Sequence, residues 1–476
     1  MIDTLPSYPA YKDSGLPWLG QVPEHWEIAP LARLTRVKSV VNQIDRQLLS
    51  VYLHSGVVRF LDVEEKRTNA TSSDLSKYQV VDSGDLVLNN QQAWRGSVGV
   101  SKYDGIVSPA YIVLALSEKY ISQYANLFFR DGNMVSQYLA CSKGVGTIQR
   151  NLYWPHLKRV GVILPPPAEQ AAIVRFLEWA GGRLERTIRA KRKIIALLNE
   201  QKQAIIHRAV TRGLDPDVPL KDSGIPWLGE IPAHWEVRRL RTLVHRIEQG
   251  VSPLAVGFLA EGDSWGVLKS GCVNGGFFRE TEHKQLARGF EVDPKIVVEV
   301  GDVLISRACG SPNLVGSVGR VKSLRFKLIL SDKTFRARFR DYVDSDFIVF
   351  VMNCSYYRHQ VAQAISGAEG MANNLPLSSL RDFTFAIPPV YESVNIATYL
   401  AHETAELQTA ISRLEREIEL LREYRTRLIS DVVTGKLDVR AAAATLPDEP
   451  SIDSLATTHD VLADDADEAL DTTEDV

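Results

Sequence analysis

The chain has 476 residues, 45% of them hydrophobic and 24% charged, with a formal net charge of −3. A length of this order holds more than one core, and no stretch comes near the roughly 18 to 20 consecutive apolar residues of a membrane helix. The four cysteines, Cys141, Cys272, Cys309 and Cys354, form no CxxC pair, which sets aside a disulfide scaffold and a zinc site in favour of free thiols.

The opening MIDTLPSYPAYKDSG has no basic flank ahead of an apolar run, so a secretory leader is not expected and a cytoplasmic location, with no membrane partner, is. From Lys12 to Glu27 runs KDSGLPWLGQVPEHWE; from Lys221 to Glu236 runs KDSGIPWLGEIPAHWE, identical at 12 of 16 positions. Repetition on this scale marks a duplicated architecture. Next come GDLVLNN at Gly84 and SVGV at Ser97, matched at offsets of 217 and 220 by GDVLISR at Gly301 and SVGR at Ser317. From Leu152, LYWPHLKRVGVILPPPAEQAAIVRFL corresponds to LPLSSLRDFTFAIPPVYESVNIATYL at an offset of 223, and the match runs without a gap to VTRGLD at Val210 and VTGKLD at Val433. Within each half, short β-rich runs such as YIVLAL, VGVIL, IVVEV and DFTFAI lie between Gly, Asn and Asp turns, alongside helical stretches such as QYANLFFRDGNMVSQYLA. Each half is expected to be an α+β domain.

Each repeat closes on a long helix. The prolines of LPPPAEQ and IPPVYES stop a strand and start it. In the second helix Leu400, Leu407, Ile411, Leu414, Ile418, Leu421 and Leu428, with Thr404, Arg425 and Val432, alternate spacings of four and three, the heptad of a coiled coil. The first keeps the same positions as Leu177, Leu184, Ile188, Ile195, Leu198 and Ile205, with Gly181, Lys191, Lys202 and Ala209. Gly181-Gly182 is expected to loosen or kink it, since glycine costs about 1 kcal/mol against alanine inside a helix. The second half follows the end of the first helix after only VTRGLDPDVPL and leads straight into the start of the second. One compact domain then touches opposite ends of the two helices, so they run antiparallel about an approximate two-fold axis. The repeated sentence docks each half onto a helix end, with Trp18, Trp26, Trp227 and Trp235 packed in the joint. The expected boundaries are residues 1–166 and 221–389 for the two domains, 167–220 and 390–440 for the helical spacers, and 441–476 for a disordered acidic tail. The 11 Asp and Glu of that tail are unmatched by any Lys or Arg, which leaves 55 basic against 47 acidic groups over residues 1–440.

No phosphate loop GxxxxGK[ST], HExxH, GxSxG or strand-to-helix GxGxxG is present, and SPAY at Ser108 reads as a strand entry fixed by proline. A net positive body with two similar lobes suits a long anionic partner, and duplex DNA in particular. The candidate readers are the polar and basic residues of turn-rich stretches: Asn89, Asn90, Gln91, Gln92, Trp94, Arg95, Gln149, Arg150 and Asn151 in the first half, and Arg307, Lys333, Arg336, Arg338, Asn373 and Asn374 in the second. Asn and Gln hold adenine bidentately and Arg holds guanine.

The duplicated SGxPWLGxxPxHWE, GDLVLNNQQAWRGSVGVSKYDGIVSPAYIVL, LPPPAEQ ahead of the first long helix and the paired VTxxLD helix ends resemble the specificity subunits of type I restriction–modification enzymes, over roughly residues 8–440. The resemblance implies two target-recognition domains on two helical spacers that read a split DNA site, and no active site or cofactor on this chain. It also implies two modification subunits that methylate adenine with S-adenosylmethionine, and motor-nuclease restriction subunits that consume ATP with Mg. Divergence between the halves predicts two unlike half-sites. Arg- and Glu-rich outer helix faces (RLERTIRAKRK, RLEREIELLREYRTR) are expected to dock partner helices. The competing reading is a DNA methyltransferase or nuclease with an unrecognised active site.

Overall fold

A computed structural model describes residues 5–62, 74–145, 149–366 and 373–447. The chain divides into two compact units, one reaching to Lys191 and resuming at Arg416, the other spanning Arg192–Glu415. Each unit contains one α+β lobe and complementary parts of two long helices, Pro167–Arg212 and Val390–Val433.

The lobes share one framework. In the first, a four-stranded antiparallel sheet has the order Thr35–Val37, Tyr111–Leu116, Leu86–Asn89, Val98–Val100; in the second the same order is Val244–Gln249, Thr334–Phe339, Val303–Ser306, Val318–Arg320. Each GD motif turns on a glycine in the left-handed region, Gly84 at φ 94° and Gly301 at φ 98°, where glycine alone escapes the Cβ clash. The aspartate that follows is buried and accepts from the backbone three residues earlier: Asp82 N to Asp85 Oδ2 at 2.7 Å, Glu299 N to Asp302 Oδ2 at 2.9 Å. A cation reaches each, Lys38 from just past the strand Thr35–Val37 at 2.5 Å and Arg336 from the neighbouring strand at 3.1 Å. The lobes differ outside this frame. The second adds a four-stranded sheet with one parallel pair, Trp265–Leu268 against Lys327–Ile329, and a core of its own around Val267, Leu304 and Leu328.

Both long helices pair in opposite directions within each unit. In the first unit Lys191 meets Glu417 at 2.5 Å and Glu185 meets Arg425 at 3.5 Å; in the second Lys202 Nζ donates to Gln408 Oε1 at 2.7 Å. Rising numbers on one helix meet falling numbers on the other, the antiparallel arrangement that connectivity implies. Among the seam positions Leu177, Leu184, Ile188, Leu400, Ile411, Ile418 and Leu428 are buried, and Ile195, Leu198, Ile205, Leu407, Leu414 and Leu421 half-buried. The basic seam members Lys191, Lys202 and Arg425 reach across, whereas Thr404 Oγ1 donates to Leu400 O in its own helix at 2.7 Å, and burial pulls the Lys202 ammonium below the usual lysine range.

Two expectations change. The first helix runs unbroken through Gly181-Gly182, because buried Ala180, Leu184 and Ile188 on either side fix it by packing, which outweighs local propensity. The acidic tail does not begin at Ala441: Arg440–Ala444 is helical, Val439, Ala443 and Leu446 are buried, and Arg175 Nη2 donates to Leu446 O at 2.7 Å. Val439, Ala443 and Leu446 give this segment something to bury, which the charge count of the whole tail concealed. Residues 448–476 lie outside the described ones. All four cysteines are free and buried, and burial pushes the Cys272 thiol up to about 12.

Candidate nucleic-acid interface

The repeated opening sentence builds the base of each lobe. Lys12 Nζ donates to Trp26 O at 2.5 Å and Lys221 Nζ to Trp235 O at 2.6 Å; Asp13 and Asp222 each accept from the following glycine turn at 2.9 Å. The result is a rigid turn that presents His and Trp to a glutamate in the first turn of a long helix. Trp26 Nε1 donates to Glu169 Oε2 at 2.9 Å and His25 Nε2 lies 2.5 Å from Glu169 Oε1; Trp235 Nε1 donates to Glu392 Oε1 at 3.0 Å and His234 Nε2 lies 2.7 Å from Glu392 Oε2. Both indoles are fully buried. Behind each indole sits the end of the other long helix, where Gly435 at φ 80° packs on Pro23 and Trp26, and Gly213 at φ 73° on Pro232 and Trp235. Each HWE is thus clamped between one helix start and the other helix end, which is why the chain needs the sentence twice. Trp18 and Trp227 are half-buried against the same two cores, and Trp227 stacks on Tyr356 with centroids 5.9 Å apart.

Sequence reasoning passed over these glutamates, although PPPAEQ and PPVYES share them and lose only the residue after. That next residue is internal too: buried Gln170 bonds to Lys119 O, Pro165 O and Ile121 N, whereas Ser393 Oγ donates to Val390 O in its own turn.

At the far ends of the central strands the candidate readers gather. In the first lobe Asn89 Oδ1 accepts from Gln91 N, Trp94 Nε1 donates to Gln91 O, and the Trp94 ring carries Arg95 at 5.4 Å and Arg150 at 5.8 Å. Arg150 and Asn151 come from the hairpin Ser142–Val145 with Gln149–Leu152, anchored by Leu152 N donating to Asn90 O at 2.9 Å. Gln149 pairs in that hairpin, and its side chain lies outside the described residues. In the second lobe Leu375 N donates to Arg307 O at 2.8 Å, the same bond at the equivalent place. Around it Arg307 N meets Lys333 O at 2.8 Å, Asn373 Nδ2 donates to Gly310 O at 3.1 Å, and Asn373–Asn374 pairs with Ala308–Cys309. Each lobe therefore brings its strand-end turn and the short strand bonded to it into one polar rim.

Arg336 does not belong to this rim. It is 1% exposed, with its guanidinium bonded to Glu248 at 2.7 Å, Asp302 at 3.1 Å, Val297 O at 2.6 Å and Lys295 O at 2.5 Å. Its side chain is buried in the lobe, where the Asp302 turn needs a counter-charge, and a guanidinium so enclosed cannot reach a base. Arg338, two residues on and on the same face, leans on Glu248 at 3.2 Å and Glu299 at 3.5 Å and is half-exposed. Among the described residues no cluster of three His, Cys, Asp or Glu could hold a metal, and no helix is long and apolar enough to cross a membrane.

Two duplicated α+β lobes, each locked to the start of one long helix and the end of the other, define a tandem two-lobe protein with a helical spacer. No family model matches the chain. It is 22% identical over 436 residues to the type I restriction enzyme MjaVIII specificity subunit of Methanocaldococcus jannaschii, covering 88% of this chain and 95% of that one. To the EcoEI specificity subunit of Escherichia coli it is 28% identical over 199 residues, 41% of this chain and 33% of that protein. A solved structure from work on the assembly and conformational transition of the type I R-M system shares the fold at a TM-score of 0.58 and 15% identity, over 87% of this chain and 99% of that one. Over most of its length the chain is similar to specificity subunits of type I restriction enzymes.

Proposed function

We propose that this chain reads a split DNA site, one lobe to each short half-site, and directs partner subunits that carry the chemistry. The observation behind this is the equivalence of the two rims. The same backbone bond, Leu152 N to Asn90 O and Leu375 N to Arg307 O, holds the strand that carries Arg150 and Asn151 in one lobe and the strand that carries Asn373 and Asn374 in the other. Two frames alike with different donors at their edges suit two unlike base sequences. The remaining rim residues, Asn89, Gln91, Gln92, Trp94, Arg95 and Lys333, then position or read the duplex.

The chain itself supplies recognition and no bond-breaking step. Two modification subunits, using S-adenosylmethionine, methylate adenine, and motor-nuclease subunits use ATP and Mg. The outer faces of the long helices, where Ile194, Leu197 and Leu420 stand 46%, 55% and 48% exposed, suit docking of partner helices. Cytoplasmic residence follows from this role.

The test is to exchange rim residues in one lobe only, as Arg150→Asn in the complete complex with its modification subunits, and map the methylated adenines. A change confined to one half of the motif is expected. An unchanged motif, or methyl transfer by the purified chain alone, would overturn the reading.

A further inference from the structure

Both lobes carry, at one equivalent place, a charged seam that neither the helix joint nor the polar rim uses. In the second lobe the turn Leu240–Leu243 is tied to the helix Leu377–Asp382 by Leu240 N donating to Phe383 O at 2.8 Å. A depression of about 430 Å³ opens beside that bond, lined by Arg241, His245, Arg246, Ser378, Arg381 and Asp382. Asp382 is shared by Arg239 at 3.5 Å and Arg241 at 3.0 Å, and Arg246 leans at 3.1 Å on Glu248, which already serves Arg336. Arg381 has no carboxylate partner among the described residues.

In the first lobe the matching turn, Leu31–Leu34, is held the same way, Leu31 N to Val160 O at 2.8 Å and Ala32 N to Lys158 O at 3.0 Å. Along that seam stand Arg33, Arg36, Lys158 and Arg159, all but the half-buried Lys158 exposed, and none has a carboxylate partner among the described residues.

The sequence offsets show what is kept. Arg36 corresponds to His245 and Lys158 to Arg381, whereas Arg33 falls opposite Thr242, Arg241 opposite Ala32, and Arg159 opposite Asp382. Positive charge is retained at one location by largely different side chains. At the rims the chemistry of the donors changes between the lobes, whereas here the positive charge stays and only the side chain that carries it changes, which matches a ligand recognised by charge. Arg381 without a carboxylate, beside Arg241 and Arg246 whose carboxylates are shared with other arginines, leaves this depression net positive, which an anion would relieve.

We infer that these two seams seat the phosphodiester backbone of the duplex, giving each lobe a sequence-independent anchor apart from its reading rim. The inference rests on the proposed DNA-reading function. The anchors supply affinity and its salt dependence, and the rims supply discrimination.

The experiment uses the full chain in complex with its modification subunits, an unrelated duplex, and a duplex bearing the site found by methylation mapping. The variants are Arg33→Gln with Arg36→Gln in the first lobe and Arg246→Gln with Arg381→Gln in the second. Each pair should weaken binding to both duplexes alike, by about tenfold, and lower the slope of log K against log salt by about 0.9 for each phosphate no longer neutralised. The methylated motif should stay the same, and the Arg→Lys versions should keep the wild-type slope. Unchanged affinity and slope would overturn the proposal. So would a shifted motif, which makes the seams base readers, or loss of the modification subunits with DNA binding intact, which makes them a protein-docking face. A wild-type complex without DNA affinity would instead sink the DNA-reading function, and the seats with it.

Discussion

Replacing Glu169 with alanine should loosen the first lobe from its helices and leave the second intact. Glu169 is 7% exposed and accepts from the wholly buried Trp26 indole at 2.9 Å, with His25 at 2.5 Å and Arg440 at 3.4 Å. Truncation strands a buried N–H, which costs about 1 to 3 kcal/mol, and removes a carboxylate from a helix first turn, which adds about 0.3 to 1 kcal/mol. His25 and Arg440 are exposed enough to be rehydrated and contribute little. The loss should be about 1.3 to 4 kcal/mol. Glu392→Ala in the second lobe should cost less, about 1 to 2 kcal/mol, because the Glu392 side chain is 21% exposed and water can replace it against Trp235. Urea unfolding gives the magnitude, and amide exchange around Trp26 and Val433, compared with Trp235 and Gly213, gives the location. A double-mutant cycle with Trp26→Phe should return a coupling of about 1 kcal/mol or more. A loss within 0.5 kcal/mol, or no coupling to Trp26, would refute the clamp as the element that fixes lobe to helix.

Arg336→Ala should destabilise the second lobe by about 3 to 5 kcal/mol, since it leaves buried Asp302 without its counter-charge, while the variant that still folds keeps the wild-type methylation motif; a changed motif would restore Arg336 as a reader. Gly182→Ala should stabilise the chain by about 1 kcal/mol in urea unfolding, because the site is helical and an added Cβ there meets nothing within 4 Å; destabilisation would show a kink. Hydrogen bonds from Lys38 and then Arg46 hold the Asp82 carboxyl below its ordinary range. A depressed folded pKa contributes stability above the unfolded value of about 3.9 that is lost as pH falls through the folded one. First-lobe unfolding should therefore steepen below about pH 4, and Lys38→Met should flatten that dependence.

The duplication, the α+β class and the antiparallel helices were legible because repetition and heptad spacing are properties of order along the chain. Seam positions such as Leu184 and Ile411 announced themselves by spacing alone. The polar rims were legible in composition, yet Arg336 shows why composition is insufficient. Whether an arginine in TFRARF faces solvent depends on which strand face is buried, and that is decided by Glu248 and Asp302, 88 and 34 residues away. The Gly181-Gly182 pair misled for the converse reason: local propensity is small against the packing of Ala180, Leu184 and Ile188. The cationic seams escaped notice because each joins segments more than a hundred residues apart, and few of their residues match between the halves.

Single-molecule mapping of methylated adenines in the host genome, with and without this gene, bears on everything proposed for the two lobes. One motif should vanish on deletion, made of two unlike short sequences separated by a fixed number of unspecified bases. Loss of a single uninterrupted motif, or of none, would contradict a two-lobed reader.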